Sequence, residues 1–307
     1  QKKSLGTFGF ILGFSRPTPQ LQVPPLPPKY PSYIKGIWLP SATAPFAQSM
    51  ADPFRLKEDG VNFVAFPIEY RVDKEGREAK NLMDFFASQG RGLENQTILT
   101  IRKYKQADLA VFLTTQIRYL PAGRGEPQGI PENLQNDPEF FKRFDKFVLR
   151  WAEIAERENV EYFAPTNEPE YMMGPWRCTA WSQEILPKVR QSYQWNLVYK
   201  SGLVLPGQIS WANFKGYDIA GTTIAVVDEY QEEEYSQVVK SLVSELVEVA
   251  QKRDKLTEVW ISCFGVNETI RNLSRLSEEQ KADIYGIVFA EAQDKVSGLI
   301  PWEVPPV

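Results

Sequence analysis

Eight short apolar runs, rich in β-branched and aromatic residues, recur along this chain between helical stretches. They fall at residues 34–39, 61–66, 109–114, 162–165 and 196–199, within 218–226, and at 259–262 and 296–300. Runs of this length and make-up are expected to be buried strands. Between them, residues 52–58, 94–105, 137–157, 182–193, 232–252 and 277–293 carry helical signals. The stretch 137–157 is the clearest. Its Phe140, Phe144, Phe147, Trp151 and Ile154 recur at spacings of three and four, as a core-facing stripe requires. Residues 277–293 open on a Ser-x-x-Gln capping pattern, Ser277 to Gln280. Strands that alternate with helices pair in parallel, and eight is the number that closes a ring. The expected class is α/β, a single (β/α)8 TIM barrel over residues 34–307. Two places depart from the pattern: the connection after the fifth run is short, and no eighth helix follows the last run.

Residues 1–33 stand outside this alternation. Lys2-Lys3 ahead of the apolar residues 5–14 resembles the tail of a signal peptide or a short membrane anchor, and is too short to cross a bilayer. The expectation is an N-terminal extension packed on the barrel, with the proline-rich residues 17–31 extended. A secreted or cell-surface location is expected ahead of a cytoplasmic one.

Composition removes several chemistries. A net charge of −4 with both signs interspersed offers no footprint for nucleic acid and no reason for the barrel to enter a membrane. There is no histidine, which excludes Ser-His-Asp and Cys-His catalysis and zinc sites that need imidazole. Two cysteines, Cys178 and Cys263, make no disulfide framework. Acid–base work falls to carboxylates, Tyr, Lys or Cys, and no metal or cofactor is expected.

In a barrel of this kind the functional residues lie at the C-terminal ends of the strands. Those ends carry Trp38, Glu69-Tyr70-Arg71, Gln116 and Arg118, Asn167-Glu168, Asp228-Glu229-Tyr230, Cys263-Phe264-Gly265 and Trp302-Glu303. Asn167-Glu168 is the most informative pair. A carboxyl at the end of a buried strand needs a partner or a raised pKa, and beside an amide it suits a general acid. The same residues ahead of Pro169 also suit a plain turn.

Asn167-Glu168-Pro169 on the fourth strand of eight, Gly60-Val61-Asn62 entering the second and Trp302 ending the eighth resemble the retaining glycoside hydrolases of clan A, including families 5 and 113. The likeness covers roughly residues 34–303. It implies that Glu168 is the acid/base and that Asn167 hydrogen-bonds a sugar 2-hydroxyl. It also implies that Trp302 floors the site and that Tyr230 lies near the nucleophile. Trp38, Trp176 and Trp181 are further candidates for the cleft wall, and Arg71 for a substrate contact. The implied ligand is an oligosaccharide or polysaccharide of β-mannan or β-glucan type.

One departure is decisive for mechanism. The family ends strand 7 on a glutamate nucleophile, and here Cys263 stands in that place, followed by Phe264-Gly265. A thiol attacks an anomeric carbon only when ionised, and neighbouring carboxylates raise its pKa. Three explanations stand: an engineered nucleophile replacement, a natural non-hydrolytic homologue, or a nucleophile moved to Glu229 or Glu268. The leading expectation is a retaining β-glycosidase with Glu168 as acid/base and Cys263 at the nucleophile position. The alternative is a carbohydrate-binding protein with the same cleft and no turnover.

Overall fold

A computed structural model of the chain describes residues 24–39, 52–79, 92–120, 129–225, 230–265 and 276–301. Eight strands close into a ring in chain order: β1 (Ile34–Trp38), β2 (Phe63–Val72), β3 (Ala110–Tyr119), β4 (Tyr162–Ala164), β5 (Asn196–Ser201), β6 (Ile219–Ala225), β7 (Glu258–Gly265) and β8 (Gly298–Pro301). Every neighbouring pair is parallel, including β1 with β8. The (β/α)8 barrel expected from the alternation is therefore the fold observed.

Alternation along each strand sorts its residues between two cores. Inward positions fill the ring with Ile34, Trp38, Phe63, Ala65, Ala110, Phe112, Tyr162, Ala164, Val198, Ile219, Trp260 and Ile300. The Trp260 ring meets those of Tyr162, Phe63 and Phe112 at centroid distances of 4.9, 5.5 and 6.1 Å. This plug closes the lower barrel, so polar side chains from the strands converge only above it. Outward positions meet the helices α1 (Pro53–Glu58), α2 (Leu93–Gln106), α3 (Glu132–Gln135), α4 (Pro138–Arg157), α5 (Pro169–Met173), α6 (Pro175–Ser192), α7 (Glu232–Val247) and α8 (Glu278–Ala292). Asp52 and Asp137 cap α1 and α4 ahead of a first-turn proline, and Ser277 with Gln280 forms a reciprocal capping box on α8. Among the described residues no helix is long and apolar enough to cross a membrane.

Several strands outrun their apolar signal. β2 and β3 stay paired from Phe63↔Ala110 to Val72↔Tyr119, and β5 continues through Lys200 to Ser201. Polar residues at inward positions near the strand ends hide this extension, because the hydrophobic pattern marks burial and not backbone pairing. Helix α6 begins at Pro175 and not near residue 182, since a proline is tolerated in the first helical turn. The short connection after β5 contains only a 3-10 turn, Ile209–Trp211.

The described part of the N-terminal extension lies across the lower end of the barrel. The Lys29 backbone N–H donates to Glu161 at 2.9 Å, its ammonium reaches Asp108 at 2.5 Å, and the Tyr30 ring meets Tyr162 edge-on. Residues 1–23, with the signal-like stretch expected there, fall outside the described residues. Beneath this segment Glu161 and Lys105 form a buried ion pair. Glu161 also accepts from the Val111 N–H, and Lys105 also donates to the Asn159 carbonyl. Removing one partner of a buried pair strands the other charge. Lys105→Met is therefore expected to lower unfolding free energy by about 3–5 kcal/mol in urea denaturation. A loss below about 1 kcal/mol would show that this pair does not anchor the base.

Candidate active site

The upper end of the barrel is organised by the chain just after β4. The Asn167 N–H donates to the Thr115 carbonyl of β3 at 2.7 Å, and the Glu168 N–H donates to the Lys200 carbonyl of β5 at 2.9 Å. Residues 167–168 are thereby held between the two neighbouring strands after β4 itself has ended. Glu168 turns the chain with φ 49° and ψ 55°, a left-handed conformation that costs a non-glycine residue about 1 kcal/mol or more. Pro169 then fixes the start of α5. Opposite, Gly202 leaves room that no other residue would: a Cβ there would lie 2.7 Å from that of Glu168.

Three side chains close on one point. The Lys200 ammonium donates to Glu168 Oε1 at 2.9 Å and to Thr223 Oγ1 at 2.6 Å, and Thr223 Oγ1 donates to Glu168 Oε1 at 2.5 Å. Lys200 has no exposed side-chain surface, whereas Glu168 keeps 28% of its own. The ammonium also stands 5.1 Å above the centroid of the Trp38 ring. Burial by itself would raise the pKa of Glu168. The adjacent lysine charge and the hydrogen bonds from Thr223 and Lys200 outweigh it and hold the carboxyl below its ordinary value.

Cys263 joins this group through a bulge. The β6–β7 register shifts between Thr222 and Thr223, so that Thr222 pairs with Ile261 and Thr223 with Cys263. Ser262, skipped by the ladder, donates to the Thr222 carbonyl. A bulge of this kind re-aims the following side chain. The thiol is 5% exposed. Burial pushes its pKa up to about 12; the Lys200 charge opposes this and the Glu168 carboxylate adds to it.

The remaining candidates are distributed unevenly. Asn167 donates to Gln116 at 3.4 Å, while its Oδ1 is buried with no hydrogen-bond partner among the described residues. Arg71 lies 3.7 Å from Glu69. Tyr230 is half-buried, its ring against Tyr235 and its hydroxyl unpartnered among the described residues. Trp38, expected on the cleft wall, is 1% exposed and lies under Lys200, because its inward position belongs to the plug. Trp181 is a packing residue, stacked on Phe144 with its indole N–H on Asp145. Trp176 stands on the first turn of α6, 87% exposed. Trp302, Asp228, Glu229, Glu268 and Glu303 lie outside the described residues.

Three further side chains belong to this candidate site: Lys200, Thr223 and Glu170. Lys200 and Thr223 have a visible signal in retrospect: Val198 and Ile219 point inward, so Lys200 and Thr223, two and four residues on, share that face. Glu170 has none. Its buried carboxylate accepts from Tyr199 at 2.8 Å, Ser201 at 3.2 Å and the Gly202 N–H at 3.0 Å, which fixes the chain behind Glu168. Burial raises its pKa. Among the described residues no three Cys, Asp or Glu side chains converge as a metal site.

No family model matches this chain, and no curated protein matches it in sequence. Its fold is similar to that of a GH113 β-mannanase from Alicyclobacillus acidocaldarius, at 16% identity and TM-score 0.67 over 89% of this chain and 88% of the other. A second GH113 β-1,4-mannanase structure is similar at 18% identity and TM-score 0.64, over 89% and 88%. An endoglucanase from the hyperthermophilic Thermotoga maritima is similar at 18% identity and TM-score 0.59, over 87% and 88%. At these identities the likeness is one of fold.

Two outcomes follow from the electrostatics. With its pKa near 12, Cys263 holds about one thiolate in ten thousand at pH 8, and Cys178 is likewise pushed up by burial. Neither thiol should react with iodoacetamide in the folded protein at neutral pH, and both should react once it is unfolded. Rapid labelling of folded Cys263 would contradict its assigned environment. Glu168 has a folded pKa below its unfolded one, so its contribution to stability is present above the unfolded value and lost as pH falls through the folded value. The destabilisation caused by Glu168→Gln should therefore be largest near neutral pH and shrink towards about pH 3. A penalty that stays constant or grows on acidification in urea melts would contradict the ion pair.

Proposed function

We propose that this chain is a carbohydrate-binding barrel on the clan A glycosidase plan, which holds a β-linked saccharide at its upper face without hydrolysing it by double displacement. The observation that carries this reading is the Lys200 ammonium seated 2.9 Å from Glu168. Retaining hydrolysis needs one carboxyl to deliver a proton to the leaving oxygen and a second, about 5–5.5 Å away, to attack the anomeric carbon. A lysine-paired Glu168 has no proton to deliver near neutral pH. Lys200 cannot replace it as the acid, because its side chain has no exposed surface. Cys263, neutral and buried, offers no nucleophile.

Both halves of the catalytic pair are thus changed, and in a mutually compatible way. A second carboxylate at position 263 would compete with Glu168 for Lys200, whereas a neutral thiol leaves that ion pair undisturbed. This favours a natural non-hydrolytic barrel over a single engineered replacement. Binding capacity is not lost with the chemistry. The partly exposed Glu168 carboxylate can accept a sugar hydroxyl, and Asn167 Oδ1, buried beside it without a partner among the described residues, can accept one once a small side-chain shift uncovers it. A β-1,4-linked mannan- or glucan-type chain is the proposed backbone, supported by the names of the proteins with similar folds. The second reading, an active glycosidase with Glu168 as acid/base, is favoured by the seat of Glu168 at the end of β4.

Calorimetry with β-1,4-linked manno- and gluco-oligosaccharides, followed by product analysis of the same samples, separates the two readings. The expected result is saturable binding with no cleavage. Cys263→Glu alone should remain far below the Cys263→Glu, Lys200→Ala double variant on aryl β-glycosides, and the double variant should retain anomeric configuration. Hydrolysis by the native chain that disappears in Glu168→Gln would overturn the proposal in favour of the glycosidase.

A further inference from the structure

The ladder between β2 and β3 does not stop at the rim. β4 ends its pairing with β3 at Thr114↔Ala164, while β2 and β3 continue side by side for five more residues. Their outward residues Ile68, Tyr70, Val72 and Ile117 are buried in the outer core. By the same alternation Glu69, Arg71, Gln116 and Arg118 lie on the side facing the barrel axis. Two contacts agree with this placement: Gln116 accepts from Asn167, and Glu69 and Arg71, two apart on one strand, lie 3.7 Å from each other. The extension is thus a wall over the binding site, with a charged inner surface.

Arg71 and Arg118 are direct register partners on that wall. Neighbouring strands lie about 4.8 Å apart, so two guanidinium groups start from adjacent backbone positions. Like charges placed so repel each other. Neither is neutralised in a hydrogen bond. Arg71 Nε is buried without a hydrogen-bond partner, its distance to Glu69 being too long for one, and Arg118 is half-buried with no partner among the described residues. Among the described residues at this end of the barrel, Arg71, Arg118 and Lys200 face Glu69 and Glu168, one positive charge more than negative.

We propose that Arg71 and Arg118 form an anion subsite, and that the saccharide held by this barrel carries an oxyanion substituent, a carboxylate or a sulfate, on a sugar unit above Asn167. The height of the pair fits this assignment. Arg118 is two residues beyond Gln116, about 7 Å further from the barrel floor, or roughly one sugar unit. Two guanidinium forks on adjacent strands suit a group with two or three coplanar or near-coplanar oxygens, which each can grip bidentately. The inference rests on the carbohydrate-binding reading and names the class of saccharide.

The test is calorimetric titration of the native chain, at low and high salt, with neutral oligosaccharides, uronate-bearing oligosaccharides and sulfated oligosaccharides of matched length, and with acetate and sulfate alone. The expected result is at least about tenfold tighter binding of one acidic series than of the neutral one, the size of a single charge-assisted pair, weakening with salt. The series that gains identifies the oxyanion. Arg118→Gln should remove the preference, and Arg118→Lys, which keeps the charge and loses the fork, should restore only part of it. Equal or tighter binding of the neutral series, an acidic preference unchanged in Arg118→Gln, or acetate and sulfate binding as tightly as the acidic saccharides would overturn the subsite. Neutral binding without preference would leave the carbohydrate-binding reading intact. Failure of every saccharide to bind would overturn both.

Discussion

The upper half of this barrel depends on one buried charge. An ammonium with no exposed surface is tolerated only with a counter-charge and hydrogen bonds around it, and Lys200 has both in Glu168 and Thr223. The surroundings are arranged to keep that contact. The backbone of Glu168 is hydrogen-bonded to Lys200 itself, so the two side chains start from adjoining positions. Gly202 lets β5 pass close to Glu168, and Glu170 holds Gly202 from behind. The bulge after Thr222 brings both Thr223 and Cys263 to the same place. Trp38, part of the aromatic plug, supplies an electron-rich face beneath the ammonium.

That arrangement inverts the logic of a carboxylate pair. Two facing carboxyls repel and drive one proton onto the weaker acid, which is how a general acid is kept loaded near neutral pH. A lysine between the strands removes the repulsion and stabilises the ionised form instead. A neutral thiol opposite completes the change without adding a charge. On the proposed reading, this polar, hydrogen-bonding floor and the arginines beside it suit recognition better than proton transfer.

Much of the fold was legible in the sequence because its main constraint is periodic. The apolar runs and the stripe through Phe140, Phe144 and Trp151 report burial, and burial by eight strands and their helices leaves a closed ring as the solution. Of the candidate site, the sequence marked the residues whose type is unusual in its place, as with Glu168 at a strand end and Cys263 where the resemblance implies a glutamate. Lys200 was hidden because a lysine in an apolar run looks like the end of a strand. Arg71 and Arg118 stood out at two strand ends, but their place side by side was hidden, because backbone pairing beyond the core leaves no hydrophobic signature. Trp38 and Trp181 were ambiguous for the opposite reason: tryptophan near a strand end or loop suits a sugar platform and a packing role alike, and here both are buried against other side chains.

The ionisation of Glu168 separates a lysine-held carboxylate from a catalytic acid. A carbon-13 NMR titration of the glutamate carboxyls, with Glu168 assigned by comparison with Glu168→Gln, reads it directly. Glu168 is expected to stay ionised to a pH below the ordinary glutamate range in the native chain, and Lys200→Met to move its titration above that range, because burial then acts alone. A Glu168 that already titrates near neutral pH in the native chain, and is unmoved by Lys200→Met, would show that the lysine does not hold it, and would return the carboxyl to the role of a catalytic acid.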